Sequence, residues 1–260
     1  MDLRVLLIGD IVGKPGREVL KRTLGDFVRR REVHFVLANG ENVAQGSGIT
    51  PNLFKEIARE GLDVVTMGDH TWRRKEALPL LEAEERLIRP MNYPPECVGR
   101  GMGIYSTPLG VRIAVIQLLG RIFMDPVDCP FHTIDKALKN LDPSIKLILV
   151  EIHAEATSEK IAMGWKLDGR VSCVFGTHTH VPTADERVLP KGTAYITDLG
   201  MTGPYDSVIG RDKKSVLYKF ETSMHAPFHV AQGDPRLCGA LVTLNTQTGK
   251  ATHIERVQLT

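Results

Sequence analysis

Five short polar segments carry residues of the types that bind a metal ion or move a proton. Each directly follows an apolar run. Asp10 follows Leu3 to Ile8, Asn39-Gly40-Glu41-Asn42 follows Val33 to Leu37, and Gly68-Asp69-His70 follows Asp63 to Met67. Glu151-Ile152-His153 ends the run from Ile145, and Gly176-Thr177-His178-Thr179-His180 follows Val171 to Phe175. Carboxylate and amide oxygens beside imidazole nitrogens, with no sulfur among them, suit manganese, iron or zinc. His178 and His180 put both rings on one face of an extended segment, because side chains alternate with period two. Each segment alone has an ordinary structural reading. The histidine pair can lie exposed in a loop, Asp10 can serve a turn or cap a helix, and Asn39-Gly40 can be a simple turn. Asp69-His70 can cap a loop, and His153 can be a core histidine, although Glu151 and Glu155 near it favour a working role. Five such segments in one chain point to a shared site.

Those side chains meet only if the apolar runs are neighbouring strands. Leu3 to Ile8 reads as a buried strand stopped by Gly9-Asp10. Pro15 falls in a first helical turn, and Val19, Leu20, Leu24, Phe27 and Val28 recur at helical spacing through Arg31. A second strand, Val33 to Leu37, precedes a helix capped by Thr50, with Pro51 at its first position, running to about Arg59. A third strand spans Asp63 to Met67. This alternation predicts a parallel sheet with right-handed crossovers, and such sheets bind ligands outside the carboxyl ends of their strands. Further on, helices are expected over Arg73 to Ala83, Thr133 to Leu141 and Ser158 to Lys166, with a loop from Pro90 to Gly103. Strands are expected over Val111 to Leu118, Ile145 to Ile152, Val171 to Phe175, Thr193 to Ile196, Phe228 to Gln232, Cys238 to Leu244 and Thr252 to Leu259. With no repeat or linker composition, residues 1–260 are expected to form a single domain.

Composition narrows the partners. The 33 basic and 31 acidic residues leave a net charge of +2, and only 6% of residues are aromatic. That balance disfavours a long nucleic acid, which needs clustered cations and stacking platforms. Arg29-Arg30-Arg31 and Lys213-Lys214 are short enough to be solvated surface. Apolar runs such as Leu147 to Val150 are far too short to cross a membrane, and no signal peptide is visible, so a cytoplasmic protein is expected. Cys97, Cys129, Cys173 and Cys238 form no Cys-x-x-Cys pair and are expected to be reduced and mostly buried. The Gly9 to Gly16 stretch lacks the order of a phosphate-binding P-loop, and no Gly-x-Ser-x-Gly elbow occurs. Thr157-Ser158-Glu159-Lys160 reads as a capped helix start that holds the loop after His153. His132, His225, His229 and His253 fall outside the five segments and are read as structural.

In order and type, Asp10-x-x-Gly13, Asn39-Gly40-Glu41-Asn42, Gly68-Asp69-His70 and Gly176 to His180 resemble the motif series of calcineurin-like metallophosphoesterases. Longer stretches resemble the bacterial YmdB-type phosphodiesterases: Gly9 to Gly13, His153 to Lys160, Gly176 to Glu186 and Gly200-Met201-Thr202-Gly203-Pro204. The resemblance implies a four-layer α/β sandwich, two packed sheets flanked by helices, with two divalent metals at the strand ends. Iron or manganese is expected, with zinc as the other choice. By position, Asp10 and His180 belong to one metal, with Asn42 close by. Asp69, His153 and His178 belong to the other, and Glu41 bridges them. His70 stands where the family keeps a histidine beside the reacting phosphate.

Asp69 departs from the family pattern, which has asparagine there. Three carboxylates against two divalent cations leave a single net positive charge, one fewer than with asparagine. Metal binding is expected to persist, with altered substrate affinity or metal preference. The resemblance implies hydrolysis of small 2′,3′- or 3′,5′-cyclic nucleotides by a hydroxide shared between two metals. Two rivals use the same residues: a phosphomonoesterase or protein phosphatase, and a metal-dependent nucleotide-binding regulator with weak hydrolysis. Thr202-Gly203-Pro204 is placed at the rim of the pocket. A homo-oligomer is the expected assembly for such a family.

Overall fold

The computed structural model describes residues 1–260. Its first half holds β1 (Asp2–Ile8), β2 (Asp10–Ile11), α1 (Gly13–Arg31), β3 (Phe35–Asn39), α2 (Pro51–Ala58), β4 (Val64–Thr66), α3 (Ala77–Ala83) and β5 (Leu87–Ile88). Then come β6 (Met102–Ser106), β7 (Arg112–Leu119), α4 (Pro130–Asn140), β8 (Leu147–His153), α5 (Thr157–Leu167) and β9 (Cys173–Thr177). The remainder is β10 (Arg187–Val188), β11 (Ala194–Ile196), β12 (Met201–Pro204), α6 (Lys213–Thr222), β13 (Pro235–Asn245) and β14 (Ala251–Leu259).

Two sheets form. The first runs β2-β12-β13-β1-β3-β4-β5, with β14 paired to β13, and the second runs β10-β11-β9-β8-β7-β6. Strands β1, β3, β4 and β5 are mutually parallel, as the alternating pattern predicts, while β13 joins the other edge of β1 antiparallel. In the second sheet β7, β8, β9 and β11 are parallel. The carboxyl ends of β1, β3, β4, β8 and β9 carry all five polar segments.

Side-chain alternation builds the layers. Leu6 and Ile8 of β1 turn toward α1 and α2, packing with Val19, Leu20, Leu24, Phe54 and Ile57. Leu3, Val5 and Leu7 of the same strand turn the other way, into a core shared with Val115, Leu149, Cys173 and Phe175 of the second sheet. The outer face of that sheet, through Ile116, Val150 and Ile152, packs on Ile134 of α4 and Met163 of α5. Strands buried on both faces must be apolar along their whole length. This order of helix, sheet, sheet and helix is the four-layer sandwich that the resemblance implies.

Several boundaries differ from the sequence-based expectations. Phe228 to Gln232 forms no strand; its one ladder contact is an isolated bridge between Arg211 and Val230. The helix expected from Arg73 begins at Ala77; the residues before it form turns, with Arg73 N bonded to His70 O and Ala77 N to Arg74 O. Thr202-Gly203-Pro204, read as a pocket rim, belong to strand β12, which pairs with β2 and β13. Helix α6 has no counterpart among the sequence-based expectations. Helix α5 has no side-chain cap: Thr157 and Ser158 leave the end uncapped, and Glu159 accepts bonds from Arg121 N and Ile122 N. All four cysteines are free, but only Cys173 and Cys238 are buried. No helix is long and apolar enough to cross a membrane.

Candidate metal centre

All eight residues singled out at the strand ends converge. Glu41, Asp69, His153 and His178 each place a donor atom within 4.8 Å of the others. His153 Nε2 lies 3.0 Å from Asp69 Oδ1, 3.2 Å from Glu41 Oε1 and 3.1 Å from His178 Nδ1. Asp10 and His180 stand beside this group, with Asp10 Oδ1 3.8 Å from His180 Nε2 and 4.0 Å from His153 Nδ1. Asn42 turns its amide nitrogen toward His180 Nε2 at 3.2 Å, because its oxygen is taken by His70 Nδ1 at 2.8 Å. Rotating that amide by half a turn would present the oxygen to the cluster. His70 also donates its backbone N–H to Glu41 Oε2, and its Nε2 lies 3.6 Å from Asp69 Oδ2.

The outer partners of three imidazoles leave one ring nitrogen of each facing inward. Thr177 donates its hydroxyl to the buried Glu151, so its oxygen accepts from His153 Nδ1 at 2.9 Å, leaving His153 Nε2 toward the cluster. His178 Nε2 lies 3.1 Å from Glu155 Oε2, on the side away from the cluster, and Nδ1 faces inward. His180 Nδ1 donates to Ile209 O at 2.9 Å, which leaves Nε2 inward. Such outer partners are how proteins fix the tautomer of a ligating histidine. Glu151 is therefore no ligand. Asn39 and Thr66 donate to it as well, anchoring the relay behind His153.

The backbone is shaped to the cluster. A Cβ on Gly68 would lie 2.3 Å from His153 Nε2 and 2.5 Å from Glu41 Oε2, so only glycine lets this turn pass. His178 and His180 both adopt left-handed φ, 96° and 64°. Non-glycine residues hold that conformation only when their surroundings enforce it.

Electrostatics favour a cation here. Burial pushes the Asp10 carboxyl up, with His180 and His153 opposing it. Burial would also raise Glu41, yet the charge and hydrogen bond of His153 leave it below its ordinary value. Asp69, against the same burial cost, is held well below the carboxylate range by His153 and His178. Burial disfavours charge on His153, but Glu41, Asp69 and Asp10 raise its pKa well above that of free imidazole. A proton on His153 thus occupies the place of a cation. Asp10 Oδ1 is fully buried and has no hydrogen-bond partner, a costly state unless something binds it. The donor set, the tautomers and this orphaned oxygen fit divalent metals.

Above the cluster opens a cleft of about 370 Å³ lined by Glu41, Asn42, His70, Glu155, His178, Thr179, His180, Ile209 and Arg211. Larger hollows of about 580 and 510 Å³ lie against α4 and α5 and along α6, and neither holds a cluster of metal-binding side chains. Sequence reasoning missed Arg211, whose isolated position carries no motif. It also missed the buried pair Lys160 and Asp198, because nothing local links two residues that far apart.

Known proteins share this architecture. The chain is 44% identical over 255 residues to the 2′,3′-cyclic-nucleotide 2′-phosphodiesterase of Bacillus subtilis (strain 168), covering 98% of this chain and 96% of that one. A hypothetical protein from Thermus thermophilus superposes with a TM-score of 0.92 at 42% identity, covering 99% of each chain. A phosphatase from Mycoplasma pneumoniae superposes with a TM-score of 0.95 at 32% identity, covering 100% of this chain and 94% of that one. The family described as YmdB-like protein matches residues 6–257, and the chain belongs to that family.

Proposed function

We propose that this chain is a metal-dependent phosphodiesterase acting on small cyclic nucleotides, with 2′,3′-cyclic phosphates as the leading substrates and 3′,5′-cyclic phosphates as the alternative. The observation that carries the reading is the inward-facing ring nitrogen on each of His153, His178 and His180, turned there by Thr177, Glu155 and Ile209 around an orphaned Asp10 oxygen. Asp10 and His180 would hold one ion, with Asn42 beside it. Asp69, His153 and His178 would hold the other, and Glu41 would serve both. Two such ions, iron or manganese ahead of zinc, supply Lewis-acid charge on the phosphoryl oxygens and activate water as the nucleophile.

The chain's own residues position the rest. Asn42 Oδ1 can only accept, so the proton on that side of His70 sits on Nδ1. His70 lines the cleft with its Nε2 3.6 Å from Asp69 Oδ2, and a protonated ring there can donate to the departing ribose oxygen as the phosphodiester ring opens. Glu41 fixes the His70 backbone at 3.1 Å, so the ring is oriented by the same carboxylate that serves the metals. The cleft volume suits a small ligand such as a nucleotide. The name of the B. subtilis relative supports the diester reading. The M. pneumoniae relative, described as a phosphatase, favours monoester hydrolysis as the second reading.

Turnover of 2′,3′-cyclic AMP, 3′,5′-cyclic AMP and a nucleoside monophosphate by the manganese-loaded protein tests this. Diester cleavage that EDTA abolishes is expected. Cleavage of the monoester alone would replace the reading with the second, and no hydrolysis would favour a regulatory binding protein.

A further inference from the structure

We propose that Arg211 forms an anion-binding subsite in the wall of the metal cleft and takes a non-bridging oxygen of the substrate's phosphoryl group. This rests on the phosphodiesterase reading and adds a residue to it.

Arg211 is placed by its neighbours. Two residues earlier, Ile209 O receives the bond from His180 Nδ1, so the segment is tied to the cluster. Isolated bridges from Arg211 to Val208 and Val230 fix its backbone. Its side chain lines the same cleft as His70, His178 and His180. Nη1 packs on Gly46, where a Cβ would stand 2.8 Å away, and Nη2 donates to Gly46 O at 2.8 Å.

The guanidinium is half-buried and no carboxylate of the chain lies within ion-pair distance of it. Burial alone lowers its pKa, with no acidic neighbour opposing. The other arginines that are buried or half-buried and lack a carboxylate partner, Arg74 and Arg89, spend their donors on carbonyls. Arg89 makes three such bonds and Arg74 two, and neither lines the cleft. Arg211 makes one, leaving Nε and Nη1 without a protein acceptor. A desolvated cation with open donors is costly until an anion arrives. Its planar fork matches phosphate oxygens, and the facing wall carries His70 and the candidate metal ligands.

Inorganic phosphate is the probe, titrated calorimetrically into manganese-loaded wild type, Arg211→Gln, Arg211→Lys and Arg74→Ala, with bound manganese counted in each. Glutamine keeps a donor for Gly46 O and removes the charge. Arg211→Gln is expected to bind phosphate about tenfold or more weakly at unchanged manganese content, with Arg211→Lys intermediate. Arg74→Ala removes two bonds to the same 44–47 loop from outside the cleft and is expected to bind phosphate as wild type does. Equal affinity in wild type and Arg211→Gln would overturn the proposal. So would an equal loss in Arg74→Ala, which would reduce Arg211 to a loop staple. If Arg211→Gln does not fold, wild-type affinity in Arg211→Lys decides against the forked contact. Failure of the phosphodiesterase reading shows separately, as absent diester turnover by wild type, and does not affect the titration.

Discussion

Lys160 Nζ and Asp198 Oδ2 lie 2.6 Å apart in a fully buried ion pair that grips the chain on both sides of His178. Lys160 also donates to Thr177 O, while Asp198 Oδ2 accepts from the N–H and hydroxyl of Thr179. The peptides flanking His178 are thereby held, which sustains its left-handed backbone. Breaking one partner of a buried pair leaves an uncompensated charge, worth about 3–5 kcal/mol. Lys160→Met is expected to lose stability on that scale in chemical denaturation, and to lose manganese. A loss below about 1 kcal/mol would mean the pair is dispensable.

Thr177→Val keeps shape and removes the hydroxyl between Glu151 and His153. His153 is then free to carry its proton on either nitrogen. Loss of such an outer partner typically costs about 10- to 100-fold in metal affinity. Competition with a chromogenic chelator measures it, and an unchanged affinity would remove Thr177 from the design.

His70→Ala should leave metal content intact, since His70 bonds Asn42 and Glu41 from the cleft side and stands outside the four-donor group. Turnover of a 2′,3′-cyclic nucleotide is expected to fall about 10²- to 10⁴-fold. The deficit should shrink for a substrate whose leaving group needs no proton, such as a p-nitrophenyl diester. Equal deficits with both substrates would argue against a proton-donating role.

Asp69→Asn installs the asparagine that the metallophosphoesterase resemblance implies at this position and removes one negative charge beside His153 and His178. A more positive centre should hold phosphate more tightly and manganese less tightly. Phosphate inhibition and manganese dissociation, measured on both proteins, should move in opposite directions. Parallel movement of the two constants, or none, would show that position 69 does not set the charge of the site.

Acid–base behaviour should separate the metal-free and loaded forms. The raised pKa of His153 means its charged form stabilises the metal-free fold below the ordinary imidazole pKa, and that contribution disappears as pH rises through the raised value. Glu41 and Asp69 are lowered, so their contribution is present above ordinary carboxylate values and is lost on acidification. EDTA-treated protein should therefore weaken on the alkaline side, whereas a metal, which displaces the proton from His153, should abolish that decline. Thermal unfolding across pH with and without manganese checks the sign.

Much of this site was legible because its residues sit at the ends of apolar runs, where a parallel sheet must gather them. Asp10, Glu41, Asp69, His153, His178 and His180 needed only strand order and the resemblance. Their outer partners were less visible. Thr177 and Thr66 read as ordinary strand residues until two sheets bring both against Glu151. Lys160 reads as the start of a capped helix, because a lysine there is usually solvated; its partner lies 38 residues away in the chain. The expectation of a strand at Phe228 to Gln232 failed for a related reason. Apolar content suggested pairing, but its single bridge is to Arg211, whose segment belongs to the cleft wall.

Strand β13, residues 235–245, sits between β12 and β1, and so walls in the strand that leads to Asp10. The first ligand in the sequence depends on some of the last residues for its setting. During synthesis, the early βαβ units can pair while β1 still shows an open edge, and the donors from β8 and β9 come much later. Pairings between such distant segments are slow to form. The full set of candidate donors therefore exists only once β8 and β9 have joined the strands of the first half.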